Sequence, residues 1–466
     1  MRSASPGTAV TSPMRPTCYL AAWVLPVTGP PLADAGVLVA EDGRIAAVGR
    51  RGDLPAGDRI AIVDLGEAIV LPGLVNAHVH AELSPFRGIL EDLPFRPWIA
   101  TLRQCRLAAA PTPDELRAAA LLTCAESLAA GITTFGATED SAAAVEALCA
   151  SGMRGVVFRE TFGPDPARAD ESVADLRARV AELRALAGDL VRIGVSPHAP
   201  YTVSDDLYAR VAALAAGEDL PVAVHAAEAE AEARLVSAGE GPFAAGLRDR
   251  GIATPPRARS VIALLERTGI LARGPLVIHA LRVDRQDLEL LAAAGASVAH
   301  CPTANARLGH GIAPVVELRA AGVNVALGTD SVASNNRLDL LEEARTAQLM
   351  QRARLASASV LPAAELLELA TLAGARALGL ANRIGSLEPG KDADLCAVRT
   401  DTPHTEPALD PLATLFHAAR GCDVVLTTVR GRVLYRSGRF LTLEPATLYP
   451  TVRQVAARLA AARGPL

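Results

Sequence analysis

The sequence predicts an α/β chain: a (β/α)8 barrel of the TIM type, with a small composite β-sandwich domain built from both chain ends. Three observations predict it. The middle of the chain alternates short apolar runs with Ala/Leu/Glu/Arg-rich helical sequence eight times, the pattern of parallel strands joined by helices. The two ends share a different pattern, short strands broken by tight turns. Histidines and acids recur at the C-terminal ends of the middle strands, the face on which such barrels build their sites. At 466 residues, the chain can hold one large barrel and one smaller domain.

The start, Met1 to Pro16, is rich in Ser, Pro and Thr and is expected to be irregular. Two apolar runs around Asp42-Gly43 follow, a strong hairpin signal. The far end looks alike: Asp394–Val398, Val424–Val429 and Val433–Tyr435 read as strands, with a tight turn at Arg430-Gly-Arg. The expected units are residues 16–66 as the first part of the sandwich, 67–380 as the barrel, 381–444 as the second part and 445–466 as a C-terminal helix. The barrel strands are read at Ile69–Val75, Ile132–Phe135, Gly155–Arg159, Val191–Ser196, Pro221–His225, Pro275–His279, Ala296–His300 and Val323–Leu327. One intervening helix opens at Thr112, an N-cap, and stops at Gly131. Residues 229–258 lack clear periodicity and form a long insertion after the fifth strand, read as a lid. The final helix, around Val452–Arg463, is expected to pack on the barrel or on a neighbouring subunit.

Half the residues are hydrophobic and only 3% aromatic, so the core is large and aliphatic. A net charge of −5 offers no basic face to nucleic acid or to an acidic membrane. No apolar run reaches the length of a membrane span, and Tyr19–Val27, interrupted by Pro26, reads as a strand rather than a signal peptide. The seven cysteines show no Cys-x-x-Cys spacing and read as reduced thiols. The expectation is a cytoplasmic protein with a small-molecule substrate and neither nucleic-acid nor membrane partners.

The first barrel strand ends in His78-Val-His80. Residues two apart on a strand share a face, so both imidazoles can aim at one point, half of a divalent-metal site. His225 ends the fifth strand, His279 the sixth, and Asp330 follows the eighth. Each has an ordinary structural reading, such as a helix cap for Asp330. Five at corresponding strand ends point to a metal. Glu228, in His225-Ala-Ala-Glu228, stands one short turn beyond a ligand, placed to shuttle a proton between water and substrate. Its neighbours Glu230 and Glu232 look like a solvated run.

Leu71-Pro-Gly-Leu-Val-Asn-Ala-His-Val-His80, His225-Ala-Ala-Glu228, Val277-Ile-His279 and Gly328-Thr-Asp-Ser331 together resemble the amidohydrolase superfamily. More narrowly, they resemble its cytosine/guanine/adenosine-type deaminase branch, the chlorohydrolase-like proteins. The resemblance runs from about Gly36 to Val433 and includes Gly385-Ser-Leu-Glu-Pro-Gly-Lys-Asp-Ala-Asp-Leu395. It implies one metal ion on His78, His80, His225 and Asp330, Zn²⁺ first and Fe²⁺ next. It implies that His279 and Asp330 orient and deprotonate the attacking water while Glu228 protonates a ring nitrogen. Binuclear relatives bridge two ions with a carboxylated lysine ending strand four; here that segment is Val191-Arg-Ile-Gly-Val-Ser196, and the single lysine is Lys391. A homodimer is implied at the level of the branch.

For the substrate, Ser196-Pro-His198 is similar to a segment that supplies a substrate-contacting histidine in nucleoside deaminases, and Arg159 is a weaker candidate contact. His80-Ala-Glu82-Leu-Ser84 and Phe95-Arg-Pro-Trp98 resemble aminofutalosine deaminases of the menaquinone route, which remove the 6-amino group of an adenine nucleoside carrying a benzoate. Glu82 would then contact substrate, with Trp98 and Phe86 as apolar walls. Methylthioadenosine/adenosylhomocysteine deaminases carry a ribose-binding Glu shortly beyond their corresponding Trp, whereas Arg106-Leu-Ala-Ala here has no acid. Asn305 is a further candidate contact, while His300 and Cys301 read as structural, and His310, His404 and His417 as surface or packing residues. Two rival readings remain: cyclic-amide opening or triazine-type hydrolysis on the same fold, and a non-catalytic scaffold. Glu228 favours deamination, since a departing amine needs a proton, and intact ligands disfavour the scaffold.

Overall fold

The computed structural model describes residues 15–464, so most of the start expected to be irregular lies outside the described residues. The first strands are β1 (Thr17–Val24), β2 (Leu32–Val39), β3 (Ile45–Arg50), β4 (Ala61–Asp64) and β5 (Ala68–Pro72). Eight strands of the middle follow: β6 (Leu74–Val79), β7 (Ile132–Glu139), β8 (Arg154–Thr161), β9 (Val191–Pro197), β10 (Ala223–Ala226), β11 (Leu276–His279), β12 (Ser297–His300) and β13 (Asn324–Leu327). The far end adds β14 (Leu395–Arg399), β15 (Val424–Val429), β16 (Arg432–Arg436) and β17 (Arg439–Phe440).

Both ends of the chain meet in one nine-stranded sheet, ordered β17-β16-β15-β14-β5-β1-β2-β3, with β4 on β1. β5 stitches them together. It runs parallel to β1 at Trp23↔Ile69 and antiparallel to β14 from Leu395↔Pro72 to Arg399↔Ala68. The two-layer sandwich expected from the sequence is represented here by this single hydrogen-bonded path.

The middle strands form two parallel sheets, β6-β7-β8-β9 and β10-β11-β12-β13, rather than one continuous ring of pairings. A parallel bridge at Val195↔Val222 links the two, and the Asp330 amide donates to the His78 carbonyl at 3.0 Å, beyond β13 and beside β6. Successive residues on these strands enter different cores. Leu74, Val157, Val277 and Val325 pack with the helices, whereas Val75, Val156, Ile278 and Ala326 join an inner cluster. Strands buried on both faces explain why the sequence reads as continuous apolar runs.

The expected single strand Ile69–Val75 is corrected to two. The chain leaves the nine-stranded sheet after Pro72 and enters the parallel sheet at Leu74. Gly73 makes the crossing, where a Cβ would lie 2.2 Å from Thr133 Cγ2. Its amide donates to the Asp394 carbonyl at 2.8 Å. An apolar run records burial, not the sheet that provides it.

Arg154 joins the two bodies from a fully buried position. Its Nε donates to Asp394 Oδ2 at 2.8 Å and its Nη2 to Asp392 Oδ2 at 2.8 Å. Asp392 also accepts from Arg383, and Asp394 from the Arg430 amide. Among the helices, Pro113–Ala129 opens with a reciprocal capping box, the Glu115 amide to Thr112 Oγ1 and the Thr112 amide to Glu115 Oε2. Residues 229–258 fold into two short helices, Glu230–Ala238 and Pro242–Arg248, before an irregular stretch. The C-terminal helix Tyr449–Arg463 packs Val455 and Leu459 on Leu83, Phe86 and Trp98 of its own chain. No described helix is long and apolar enough to cross a membrane.

Candidate active site

His78 and His80 stand at the end of β6, where the strand period turns both rings the same way. His225 lies within β10, His279 ends β11 and Asp330 follows β13. His279 and Asp330 adopt φ values of 80° and 57°, a region non-glycine residues seldom occupy, so the backbone twists to aim both side chains. Asn76 braces the end of β6 against the segment after β13: its Nδ2 donates to Thr329 Oγ1 at 2.7 Å and its Oδ1 accepts from the Thr329 amide at 3.0 Å.

The five side chains converge. Asp330 Oδ1 is 3.5 Å from His78 Nε2 and 3.7 Å from His80 Nε2. The ring centres of His78 and His225 are 4.9 Å apart, and those of His225 and His279 5.7 Å. Donor atoms of His78, His80 and Asp330 lie within 4.8 Å of one another, as do those of His78, His225 and His279. Both ring nitrogens of His78 and Nδ1 of His225 are buried with no hydrogen-bond partner. Unpaired buried nitrogens are costly, and one lone pair from each of these rings is the donor a divalent ion takes. His80 presents the tautomer a ligand needs: Nδ1 donates to the Thr138 carbonyl at 2.9 Å, leaving the Nε2 lone pair facing Asp330.

The protonation states fit as well. Burial lowers the His78 and His225 imidazoles and pushes His80 down to about 3, keeping all three neutral. Burial by itself would raise Asp330, but its contact with His78 and the neighbouring imidazoles hold it well below the usual carboxylate range. Neutral imidazoles beside an ionised carboxylate are the forms that bind metal.

Glu228 is buried, with Oε1 3.5 Å from His279 Nε2 and 3.3 Å from His310 Nε2. Burial pushes its carboxyl up, and His279 and His310 together bring it below its ordinary value. His310, read from the sequence as a surface or packing residue, is thus buried against the proton-shuttle candidate. Glu232 is likewise no part of a solvated run. It is fully buried and accepts from the amides of Ala227 at 3.1 Å and Glu228 at 2.6 Å, shaping the turn that carries Glu228.

A cavity of about 840 Å³ opens above this cluster. His80, His225, Glu228, His279 and Asp330 form part of its lining, with Trp98, Phe95, Ile99 and Phe243 as apolar walls. His198 lines it too, its Nδ1 2.8 Å from Thr202 Oγ1. Three expected contacts lie elsewhere. Asn305 is buried off the cavity and its Oδ1 accepts from His279 Nδ1 at 2.9 Å, so it orients that ring. Glu82 sits behind Arg106, 3.6 Å away, accepts from Ser141 Oγ, and is pushed by burial up to about 7. Arg159 is not among the lining residues, and Phe86 packs behind Trp98 toward the C-terminal helix.

The sequence reading missed Glu160, the residue after Arg159. It lines the cavity with Oε1 4.0 Å from both His198 Nε2 and His225 Nδ1, and burial pushes it up to about 8. Strand alternation was the available signal, since of two neighbours only one can face inward. The insertion supplies Pro242, Phe243 and Leu247 to the wall, and Phe243 stacks on Tyr201 with ring centres 4.2 Å apart. Arg96, Arg103 and Arg250 also line the cavity, and among the described residues none has an ionic partner.

The Amidohydrolase family model matches residues 69–434. The 5-methylthioadenosine/S-adenosylhomocysteine deaminase of Moorella thermoacetica is 36% identical over 437 residues, 92% of this chain and 96% of its own. The crystal structure of an adenosine deaminase from Xanthomonas campestris with bound zinc aligns with a TM-score of 0.84 at 31% identity, covering 96% of this chain and 98% of that one. Helicobacter pylori aminofutalosine deaminase, solved with methylthio-coformycin, shares the fold with a TM-score of 0.76 at 22% identity, over 90% and 99% of the two chains. With the family model spanning most of its length and a relative this similar over nearly all of it, the chain belongs to the amidohydrolase family of hydrolytic enzymes.

Proposed function

We propose that this protein is a mononuclear metal-dependent deaminase that releases ammonia from the ring of an adenine nucleoside, with aminofutalosine (6-amino-6-deoxyfutalosine) as its leading substrate. The observation that carries the reading is the meeting of His78, beneath the cavity, with His80, His225 and Asp330 on its lining and Glu228 beside them. Those four would hold the ion, Zn²⁺ in first place. When bound, such an ion acts as a Lewis acid and lowers the pKa of water from ~15.7 towards ~7. No lysine lies on β9 to bridge a second ion, and Lys391 is engaged with Glu388 at 3.1 Å.

The chain's own residues do the rest. Asp330 and His279 orient the attacking water and accept its proton. Glu228, ionised at rest, takes up the other proton of that water and delivers it to the ring nitrogen, and the proton held by Asp330 and His279 goes to the departing amine. One water is added and one ammonia leaves, so the aminated carbon becomes a carbonyl. His198 and Trp98, both on the cavity wall, are the proposed substrate contacts. As part of the same reading, β6 to β13 close into a (β/α)8 barrel, the nine-stranded sheet folds over as a sandwich, and the protein is a homodimer.

Two features support aminofutalosine within the adenine nucleosides. His80-Ala-Glu82-Leu-Ser84 resembles the deaminases of that compound, and the unpaired Arg96, Arg103 and Arg250 beside apolar walls suit a substituent ending in an acid. A second reading, methylthioadenosine or S-adenosylhomocysteine deamination, is favoured by the identity to the Moorella protein. An ammonia-release assay of the metallated enzyme separates them, run against aminofutalosine, methylthioadenosine, S-adenosylhomocysteine, adenosine, guanine and cytosine. The highest kcat/KM on aminofutalosine supports the proposal, and a preference for methylthioadenosine transfers it to the second reading. No ammonia from any of these by fully metallated protein rejects both.

A further inference from the structure

We infer that His310 is a positioning residue that holds the Glu228 carboxylate in place for proton transfer; the inference rests on the reading of Glu228 as the proton relay.

The local sequence is built to turn His310 inward. It stands between Gly309 and Gly311, whose φ values are 72° and 97°. A Cβ on either glycine would meet nothing within 4 Å, so glycine is required there by the backbone conformation rather than by space. The main chain of His310 is pinned on both sides. Its amide donates to the Asn305 carbonyl at 2.9 Å, and its carbonyl accepts from Arg282 Nη2 at 3.0 Å. The ring meets Phe95 edge-on, with centres 4.4 Å apart, and the side chain is 4% exposed. That leaves Nε2 facing Glu228 Oε1 at 3.3 Å.

The other imidazole beside Glu228 cannot do this work in its neutral form. His279 donates from Nδ1 to Asn305 Oδ1, so its Nε2 carries a lone pair and offers Glu228 no proton. His310 Nε2, 3.3 Å from Glu228 Oε1 and buried with no other partner, is therefore the donor that a small rotation of either side chain aligns on the carboxylate. A glutamate has three rotatable bonds and here borders an open cavity, so losing that donor frees it to swing away. Misplacing a proton-transfer group by about an ångström costs up to ~10²-fold in rate. The Asn305 segment serves both neighbours of Glu228: its side chain orients His279 and its carbonyl anchors His310.

Two variants test this. His310→Gln keeps an N–H donor at similar reach; His310→Leu keeps apolar bulk without one. Crystal structures should show the Glu228 carboxylate in place in the Gln variant and displaced by more than ~1 Å in the Leu variant. An unmoved carboxylate in His310→Leu overturns the inference, whatever the substrate proves to be. On the nucleoside that the wild type deaminates best, His310→Leu should lower kcat ~10–10²-fold with KM within ~3-fold and metal content unchanged, and Gln should recover most of the loss. In a Glu228→Gln background the Leu substitution should add little, because it acts through Glu228. A full multiplicative loss in that background, or equal losses in the Leu and Gln variants tracking a lowered thermal midpoint, would assign His310 to packing alone.

Discussion

Two clusters of buried charge in this protein make an instructive pair. At the junction of the sheets, Arg154, Asp392 and Asp394 are at most 3% exposed, and their polar atoms are answered by one another, by Arg383 and by the Arg430 amide. At the base of the cavity and just beneath it, Asp330, His225 and His78 are at most 6% exposed, yet both nitrogens of His78 and Nδ1 of His225 face no partner. Buried polar groups in native proteins are nearly always satisfied. Burial alone therefore does not tell a structural cluster from a functional one. What differs is whether the protein completes the bonding itself or leaves it for something else.

The largest expected effect tests the unfinished cluster. Asp330→Ala should lose its metal by elemental analysis and lower kcat/KM by at least ~10⁴, about 5.5 kcal/mol of transition-state stabilisation. Full metallation with full activity would remove the distinction. Next is the finished cluster. Arg154→Met strands two carboxylates and should destabilise the fold by about 3–5 kcal/mol in urea unfolding, while kcat per folded, metallated molecule stays at the wild-type value. A stable variant with impaired turnover would mean that the junction belongs to the site. Glu228→Gln should then keep its metal and lose at least ~10²-fold in turnover, and unchanged turnover takes Glu228 out of the chemistry.

A further test sharpens the comparison through pH. Burial, with the Glu228 charge adding at Glu232, pushes the Glu232 and Glu343 carboxyls from 4.5 up to about 8. Raised groups hold protons in the folded state that the unfolded chain has already released. Their contribution is full below about pH 4.5 and is lost as pH rises through about 8. Metal-free protein should thus show a urea midpoint that declines across that window. A midpoint that rises instead would mean both carboxyls are ionised in the fold.

How much of this was legible beforehand depends on the kind of information each residue carries. His78 and His80 were readable because the strand period is a local property, and His225, His279 and Asp330 because strand ends are marked by where apolar runs stop. Glu82 and Asn305 were expected to meet substrate, yet one lies behind Arg106 and the other holds His279. Glu160 went unnamed, Glu232 was read as part of a solvated run and His310 as a surface or packing residue, since a charged run or a glycine-flanked loop does not say what will pack over it. The apolar run through Pro72-Gly73 was one strand on paper and is two in space.

By itself the sequence determined the alternation of strands and helices, the β-rich character of both ends and the five side chains that gather at the strand tips. Those follow from covalent spacing and apolar periodicity, which act over a few residues. Only the tertiary structure decided which polar atoms are left without partners, which of two adjacent side chains faces the cavity, and that His310 stands against Glu228. Such facts depend on groups brought together from distant parts of the chain, and no local spacing encodes what will stand opposite.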